Sequence, residues 1–237
     1  MIRPTSALYA AAFLALPALG LAQTKHLDLE TTAGLHALNV LLQPETHEGK
    51  RGVRVAEDSA AISRLPREVA QAGADLIAWI DGIDFGNGTI EAEIAAAPAP
   101  GADTSARGFA GIAFRVQSDH KTYDAFYLRP TNGRAADQER RNHTAQYISH
   151  PDWPWFRLRR ETPSRYESYV DLVPNTWTKI RIEVHGTQAR LFVHDQPQPV
   201  LVVNDVKTGA TAKGAVALWI GPGTVAYFRN LSVTPAP

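Results

Sequence analysis

The alternation of apolar and polar residues from residue 77 onward constrains the fold of this chain more than any other feature. In TIEAEI (89–94), isoleucine and alanine alternate with threonine and glutamate. Successive side chains of a β-strand point to opposite faces, so this period of two predicts strands with one buried face. The same pattern recurs in AGIAFRV (110–116), TYDAFYLRP (122–130), KIRIEV (179–184), ARLFVHD (189–195), PVLVVND (199–205), GAVALWIG (214–221) and AYFRNLSV (226–233).

Turn signals separate these segments, as in Gly86-Asn87-Gly88 and Gly221-Pro222-Gly223. Together with KRGVRVAED (50–58), the pattern predicts about ten to twelve antiparallel strands. Residues 63–73 are typical of a short helix or loop, and residues 97–108 of a surface loop. No repeat or linker interrupts the pattern, so we expect one all-β domain over residues 23–237, built as a two-sheet antiparallel β-sandwich of jelly-roll type.

The first 22 residues have the features of an export signal. Arg3 is followed by the apolar stretch ALYAAAFLALPAL, and small residues at Gly20 and Ala22 are typical of a cleavage site. We therefore expect a signal peptide over residues 1–22, cleaved after Ala22, and a secreted or periplasmic protein. A disordered N-terminus or a retained anchor is the alternative. The chain has no cysteine, so an exported fold must be stable without disulfides.

The charges of the chain balance, with 24 basic and 24 acidic residues. Non-specific binding to nucleic acids or membrane surfaces depends on an excess of positive charge. We therefore expect neither nucleic acid nor, after signal cleavage, a membrane as a partner. Recognition should depend on local chemistry.

The segments GFAGIAFRVQSDHKTYDAFYLRP, WTKIRIEVHGTQARLFVHDQPQPVLVV and GAVALWIGPGTVAYFRNLSV resemble the concanavalin A-like lectin/glucanase superfamily, in particular laminin-G-like jelly rolls of secreted bacterial proteins. The likeness covers residues 84–235 and contains no diagnostic catalytic signature. It implies two curved antiparallel sheets with a ligand on the concave face. Because lectins, glycoside hydrolases, polysaccharide lyases and adhesion modules share this fold, it does not choose among these functions.

One segment has an unusual composition. Residues 129–171 contain eight of the 18 arginines and none of the lysines, and QYISHPDWPWFRLRRETPSRYESYVD (146–171) is rich in aromatic residues. The planar guanidinium forms paired hydrogen bonds and stacks on rings, whereas lysine offers a mobile point charge. Aromatic lining with a few placed polar groups is typical of small-ligand sites. We therefore expect this segment to bind a carbohydrate, with an acidic or modified sugar as one form of it.

Strand parity selects the candidate ligand-binding residues. Phe126 and Leu128 belong in the core, so Tyr123, Tyr127 and Arg129 should lie on the open face, and Arg115 of the neighbouring strand should join them. Trp153 or Trp155 should lie over the mouth of the site. The full candidate set is Arg115, Tyr123, Tyr127, Arg129, Tyr147, His150, Trp153, Trp155, Arg157, Arg159 and Tyr169.

A structural interpretation competes with this one. Six acidic residues lie among the eight arginines of residues 129–171, so the charges could form an ion-pair network that holds a long loop. Tryptophans beside prolines could then cover a core. Under this interpretation the domain is a structural module without a ligand.

The sequence leaves catalysis open. Glycoside hydrolysis normally requires two carboxyl groups on opposite sides of the scissile bond. Weak candidates are Glu91 and Glu93, which resemble part of the carboxylate ladder of concave-face glucanases, and Glu167 and Asp171, which share a strand face. Surface solubility or pairing with arginines are the alternatives for these four.

A polysaccharide lyase is a less favoured enzyme class. Arg129, Gln146, Tyr147 and His150 supply the residue types with which such enzymes neutralise a uronate and abstract a proton. The eight histidines show no metal-binding spacing and no Asp-rich calcium loop occurs, so we expect no metal and no cofactor.

Overall fold

The computed structural model describes residues 23–68 and 75–236. The expected signal peptide, residues 1–22, lies outside the described residues, and so does the end of the helix or loop expected over residues 63–73. No helix within the described ranges is long and apolar enough to cross a membrane.

The fold is an all-β sandwich of two antiparallel sheets, as the alternation predicts. One sheet has eight strands, in the order β13-β12-β11-β6-β15-β4-β3 with β1 beside β15. These are β1 (Lys25–Leu27), β3 (Val40–His47), β4 (Lys50–Glu57), β6 (Gly88–Pro98), β11 (Thr178–His185), β12 (Gln188–Val193), β13 (Leu201–Val203) and β15 (Thr224–Pro235).

The second sheet has seven strands, in the order β10-β9-β8-β7-β14-β5-β2. They are β2 (Leu35–Leu38), β5 (Ile77–Ile80), β7 (Ala110–Val116), β8 (Tyr123–Leu128), β9 (Ala145–His150), β10 (Glu167–Ser168) and β14 (Ala215–Ile220). The described residues thus form 15 strands, more than the ten to twelve expected, because short edge strands such as β1 and β10 carry too few residues to show a period.

The helices within residues 23–68 and 75–236 are short. They are α1 (Ser59–Ile62), a 3₁₀ turn over Pro130–Asn132, α2 (Gln138–Asn142) and α3 (Trp155–Glu161). Asp58 and Asp137 cap α1 and α2, each accepting a hydrogen bond from a backbone N–H three residues ahead. A surface loop was expected over residues 97–108. In the structure, the loop between β6 and β7 covers residues 99–109.

The core lies between the sheets and follows the sequence pattern. Ile90, Ala92 and Ile94 of β6 are buried, whereas Glu91 and Glu93 lie on the outer surface of the eight-stranded sheet. The strands β7 and β8 differ, because every residue of both is buried. Their second face is covered by the excursion between β9 and β10, which contains α3. This covered face of the seven-stranded sheet positions the candidate site.

Candidate ligand-binding cleft

The arginine-rich segment does not form one loop but a strand, a helix and a short strand. Residues 146–150 continue β9, α3 follows Pro154, and Glu167 begins β10. Pro154, with φ −69° and ψ 161°, occupies the N-cap of α3, and Arg159 and Arg160 lie in its last turn, where cations favour the helix dipole. Leu158 is the buried residue of α3 and packs it onto the sheet. The sequence contained a signal for this helix, since WFRLRRE has no β-branched residue and follows a proline.

A cleft of about 750 Å³ opens between this helix and the loops at one end of the seven-stranded sheet. Its walls come from the loop after β6, the 3₁₀ turn, α2, α3 and the turn before β15. The residues that line it are Asp103, Ser105, Ala106, Arg107, Phe109, Arg129, Asn132, Asp137, Glu139, Arg140, His143, Trp155, Arg159, Pro222 and Gly223.

A buried carboxylate lies behind this cleft. The side chain of Glu167 is 3% exposed, and its Oε1 is 3.4 Å from Arg129 Nη1. Arg159 donates from Nε to Glu167 Oε2 at 3.0 Å and from Nη2 to Oε1. The cations and their hydrogen bonds replace the water that this carboxylate loses on burial. Glu167 therefore holds the two arginines and is not free to act on a ligand.

Arg129 is saturated by its neighbours. It donates to Tyr127 Oη at 2.8 Å, to Gln146 Oε1 at 3.0 Å and to the backbone oxygen of His143 at 2.7 Å. Its guanidinium lies 5.1 Å from the ring centroid of Tyr127. Arg129 is thus on the face that parity predicted, but its hydrogen bonds serve the fold.

His143 joins α2 to this cluster and lines the cleft. Its Nδ1 lies 2.8 Å from Glu167 Oε2, off the direction that a hydrogen bond requires, and neither ring nitrogen has a hydrogen-bond partner within the described part of the chain. Burial lowers the pKa of the imidazole, and the positive charges of Arg159 and Arg129 act in the same direction, against the carboxylate of Glu167. The imidazole is therefore uncharged at neutral pH and forms part of the cleft wall, with both ring nitrogens buried. Sequence analysis did not identify His143, although it lies only two residues after Arg141.

Trp155 forms the aromatic wall. Its side chain is 43% exposed, and the guanidinium of Arg159 lies 4.7 Å from the ring centroid. Phe109 faces it from the loop before β7 and stands edge-on to Tyr127 at 6.0 Å. Trp155, which we expected at the mouth of a binding site, lines this cleft.

A second cavity, of about 210 Å³, continues from the cleft along the sheet. Its floor includes Tyr127 and Trp219, whose rings stack at 4.6 Å, and Trp155 and Phe156 cover it. It is lined by Leu76, Phe109, Tyr123, Tyr127, Ile148, His150, Pro154, Trp155, Phe156, Trp219, Ile220, Gly221 and Pro222. We call it the aromatic pocket.

Tyr123 and His150 meet at the end of this pocket. Tyr123 Oη donates to Asp75 Oδ1 at 2.8 Å, lies 3.0 Å from His150 Nδ1 and accepts from Trp219 Nε1 at 3.1 Å. Burial, followed by the charge of Asp75, raises the pKa of Tyr123 well above its ordinary value. Asp75 and Trp219 were not identified from the sequence. Trp219 could have been identified, because alternation in GAVALWIG places its side chain on the face opposite to that of Leu218.

Two candidates do not reach this face. Arg115 has φ 54° and sits beside an irregularity in the β7–β14 pairing, which turns its side chain into the interior, where it donates to the backbone oxygens of Gly86 at 3.0 Å and Gly186 at 2.8 Å. Tyr147 is on the core face, and its hydroxyl donates to Asp124 Oδ1 at 2.5 Å. The expected open-face position of Arg115 is wrong because parity does not hold through a bulge.

Other candidates lie outside both cavities. Arg157 stacks on Trp153 at 3.9 Å and pairs with Glu161 at 2.9 Å. Tyr169 stacks on Arg141 at 4.9 Å. These side chains are thus held by contacts within the protein.

The candidate carboxylates do not face one another across the cleft. Glu91 and Glu93 are on the other sheet, where Glu93 binds Lys50 at 3.2 Å and Glu91 is 3.8 Å from Lys179. Asp171 is exposed and receives two hydrogen bonds from Arg134, which lower its pKa. Asp103, Asp137 and Glu139 are the acids that line the cleft. In the described ranges, no three His, Cys, Asp or Glu side chains are grouped so that they could hold a metal ion.

Known proteins share this architecture. The family described as 3-keto-alpha-glucoside-1,2-lyase-like domain matches residues 43–234. A search of the curated proteins finds no match. Among solved structures, the chain is similar to the carbohydrate binding module CBM66 from Bacillus subtilis, with 14% identity and a TM-score of 0.57 over 85% of this chain and 96% of that one.

Two further structures have a similar fold. A protein of unknown function with a galectin-like fold from Bacillus subtilis has 11% identity and a TM-score of 0.54, covering 89% of this chain and 94% of that one. A Crh5 transglycosylase in complex with NAG has 13% identity and a TM-score of 0.51, covering 92% and 86%. At such identities the likeness concerns the fold, which is that of the concanavalin A-like lectin/glucanase superfamily.

Proposed function

This chain belongs to the family of 3-keto-alpha-glucoside-1,2-lyase-like domains, and on that premise we propose that it binds a glucoside in the cleft between α2 and α3. The observation that carries the proposal is the half-exposed indole of Trp155, which faces a cavity of about 750 Å³ beside arginine, asparagine and carboxylate side chains. An apolar ring face next to placed hydrogen-bonding groups fits the two kinds of surface on a pyranose.

The charges of the cleft favour an uncharged, modified sugar over an acidic one. Four arginines line it, and they are offset by three carboxylates of the lining and by Glu167 behind it. A uronate would bring a further negative charge into a balanced site. A ketone on the sugar ring accepts hydrogen bonds from arginine without adding charge. The family description names a 3-keto sugar, which has this property.

The experiment compares Trp155→Ala with the native chain for binding of methyl 3-keto-α-D-glucopyranoside. Removal of the indole should lower the affinity about tenfold or more, while the free energy of unfolding changes by about 1 kcal/mol or less, because the side chain is half-exposed. Leu41→Ala, an exposed apolar residue of β3 on the other sheet, is the matched control. An unchanged affinity for the Trp155 variant would refute the proposal.

Elimination is a second candidate function of the same cleft, and the uncharged imidazole of His143 favours it. In a 3-keto glucoside the C2–H is acidic because it is adjacent to the carbonyl group. His143, whose ring nitrogens are buried at the cleft wall, would turn toward the sugar and accept that proton. The C–H electrons would then form an enolate whose oxygen is stabilised by guanidinium groups. The C3 carbonyl then re-forms as the enolate electrons make the C1=C2 bond and the C1–O bond breaks, and the departing alkoxide takes the proton that His143 holds.

His143→Gln tests the elimination, with ¹H NMR following both loss of the C2 proton and release of methanol from the methyl glycoside. We expect turnover to fall by about 10²-fold or more, the range for loss of a general base, with binding retained. Native protein that binds the glycoside without releasing methanol would exclude elimination and leave the binding proposal standing.

We also propose that the protein is exported. The support is the sequence of residues 1–22, with an apolar stretch after Arg3 and small residues before Gln23. Mass spectrometry of the protein from the periplasm or medium should find a chain that begins at Gln23. A chain that retains Met1 in the cytosol would contradict this.

A further inference from the structure

The aromatic pocket has no role in the binding of a sugar as described so far. Its floor is made of the stacked rings of Tyr127 and Trp219 with Ile148, and its cover is made of Trp155 and Phe156. Phe156 is a large apolar side chain, yet it is 53% exposed. Leu158, and not Phe156, is the buried residue of α3. An exposed phenylalanine over an apolar cavity is typical of a ligand-binding surface.

The hydroxyl of Tyr123, a polar group at the end of this pocket, is already paired. Tyr123 Oη has Asp75, His150 and Trp219 within 3.1 Å, so it has little capacity left for a ligand. A pyranose placed here would lose water from several hydroxyl groups without replacing those hydrogen bonds, and each such loss is unfavourable. An apolar group avoids that penalty and gains ring contacts.

The size of the pocket limits the occupant further. Its volume is about 210 Å³. Apolar cavities of roughly 150 Å³ bind benzene. The pocket therefore matches one six-membered ring with a small substituent.

The pocket and the cleft are continuous. Phe109, Trp155 and Pro222 line both cavities, so one molecule can extend from one to the other past the indole of Trp155. A ligand with a polar ring at one end and an apolar ring at the other would fill both.

We propose that the aromatic pocket is an aglycone subsite, which receives an aromatic ring linked to the sugar in the cleft. The inference rests on the proposed function, because it assigns the sugar to the cleft and adds the second half of the ligand. The preferred ligands are then aryl glycosides, distinguished from alkyl glycosides by stacking between Phe156, Trp219 and Tyr127.

The test compares phenyl and methyl 3-keto-α-D-glucopyranosides, which share the sugar and differ in the aglycone. Binding is measured as the tryptophan fluorescence change on stopped-flow mixing, before turnover contributes. The native protein should bind the phenyl glycoside about tenfold more tightly, as expected when an aromatic ring leaves water for an apolar pocket.

Phe156→Ala should reduce that preference to about twofold or less and leave the affinity for the methyl glycoside unchanged, because Phe156 lines the aromatic pocket and is not among the residues that line the cleft. Tyr169→Ala is the matched control, since Tyr169 is an exposed aromatic residue, 41% accessible, outside both cavities. This variant should keep the full preference.

The outcomes separate the two proposals. Equal affinity of the native protein for both glycosides would overturn the aglycone subsite and leave the sugar site intact. A phenyl preference that survives Phe156→Ala would also overturn it, because the ring would then bind elsewhere. If neither glycoside binds, the proposed function itself fails, and the subsite with it.

Discussion

Glu167 shows how a single buried charge organises the wall of the cleft. Its carboxylate contacts Arg129 from the end of β8, Arg159 from α3 and His143 after α2. Three parts of the chain thus meet at one side chain that is 3% exposed. Arginine suits this arrangement better than lysine, because its fork binds two oxygens and further acceptors at once.

Glu167→Gln should destabilise the protein by about 3 kcal/mol, because it leaves two guanidinium groups without the charge that offsets their burial. Urea unfolding at neutral pH measures the change. Asp171→Asn is the matched control, since its pair with Arg134 is exposed on both sides, 52% and 66%, and should contribute far less to stability. Equal losses in the two variants would contradict the distinction.

His143 should make stability depend on pH. Burial lowers its pKa in the folded state, so the unfolded chain, with a histidine pKa near 6.5, holds the proton more tightly. The contribution of His143 is therefore complete above about pH 7 and is lost as the pH falls below about 6.5. The stability advantage of the native chain over His143→Gln should shrink between pH 7.5 and pH 5.5 in urea unfolding.

The matched control replaces a histidine on the surface. His185 is exposed at the end of β11, so His185→Gln provides the comparison. If the two variants give the same difference from the native chain at both pH values, the assignment of an uncharged, buried His143 is wrong.

The arginine bias of residues 129–171 correctly indicated a cluster of guanidinium groups with aromatic rings, but it could not indicate which arginines are saturated. Arg129 and Arg159 share Glu167, whereas Arg157 pairs with Glu161 one helical turn away. Such choices depend on distances across the fold, between residues far apart in sequence. Arg115 shows the related limit at a strand, where one bulge reverses the face that parity assigns.

At the scale of elements, strand β7 allows the rings of Tyr127 and Trp219 to meet over the sheet. In the register of the seven-stranded sheet, Gly111 lies between Tyr127 of β8 and Trp219 of β14. Without a side chain on the middle strand, the outer rings close to 4.6 Å across it. The floor of the aromatic pocket therefore depends on a glycine.

Gly111→Ala should destabilise the protein by about 3 kcal/mol and disrupt the pocket, because the new Cβ would lie 2.0 Å from the backbone oxygen of Phe126 and 2.7 Å from Tyr127 Cβ. The clash is with backbone and cannot be relieved by a rotamer change. Thermal unfolding measures the loss, and near-UV circular dichroism should report altered packing of Trp219. A variant with native stability and spectrum would show that the sheet adjusts at this point.

The alternation predicted the regular strands closely, and AGIAFRV forms β7 with the same bounds, Ala110–Val116. It could not predict which strands are neighbours. The pairing of β14 with β7, for example, joins segments about 100 residues apart, and period alone carries no information about partners. The helix α3 was missed because seven residues between turns are too few to show a 3.6-residue period.

At the scale of the whole molecule, the two sheets share one core, so neither should persist alone. Trp219 reports on the seven-stranded sheet, and Trp177, which donates to the backbone oxygen of His47 at 3.0 Å, reports on β3 of the other. Urea unfolding followed by tryptophan fluorescence and by far-UV circular dichroism should give coincident transitions, also in Trp177→Phe and Trp219→Phe variants. Separate midpoints would show that the sandwich contains two folding units.

The cleft lies at one end of the sandwich, and its walls are loops and the short helices α2 and α3. The frame of the sandwich is held by its core, whereas the walls come from separate excursions whose length and composition can vary at small entropic penalty. Replacing these loops on the same strands would therefore change which ligand the cleft binds and leave the two-sheet core unaltered. Libraries confined to residues 102–107 and 134–143 would explore that freedom first.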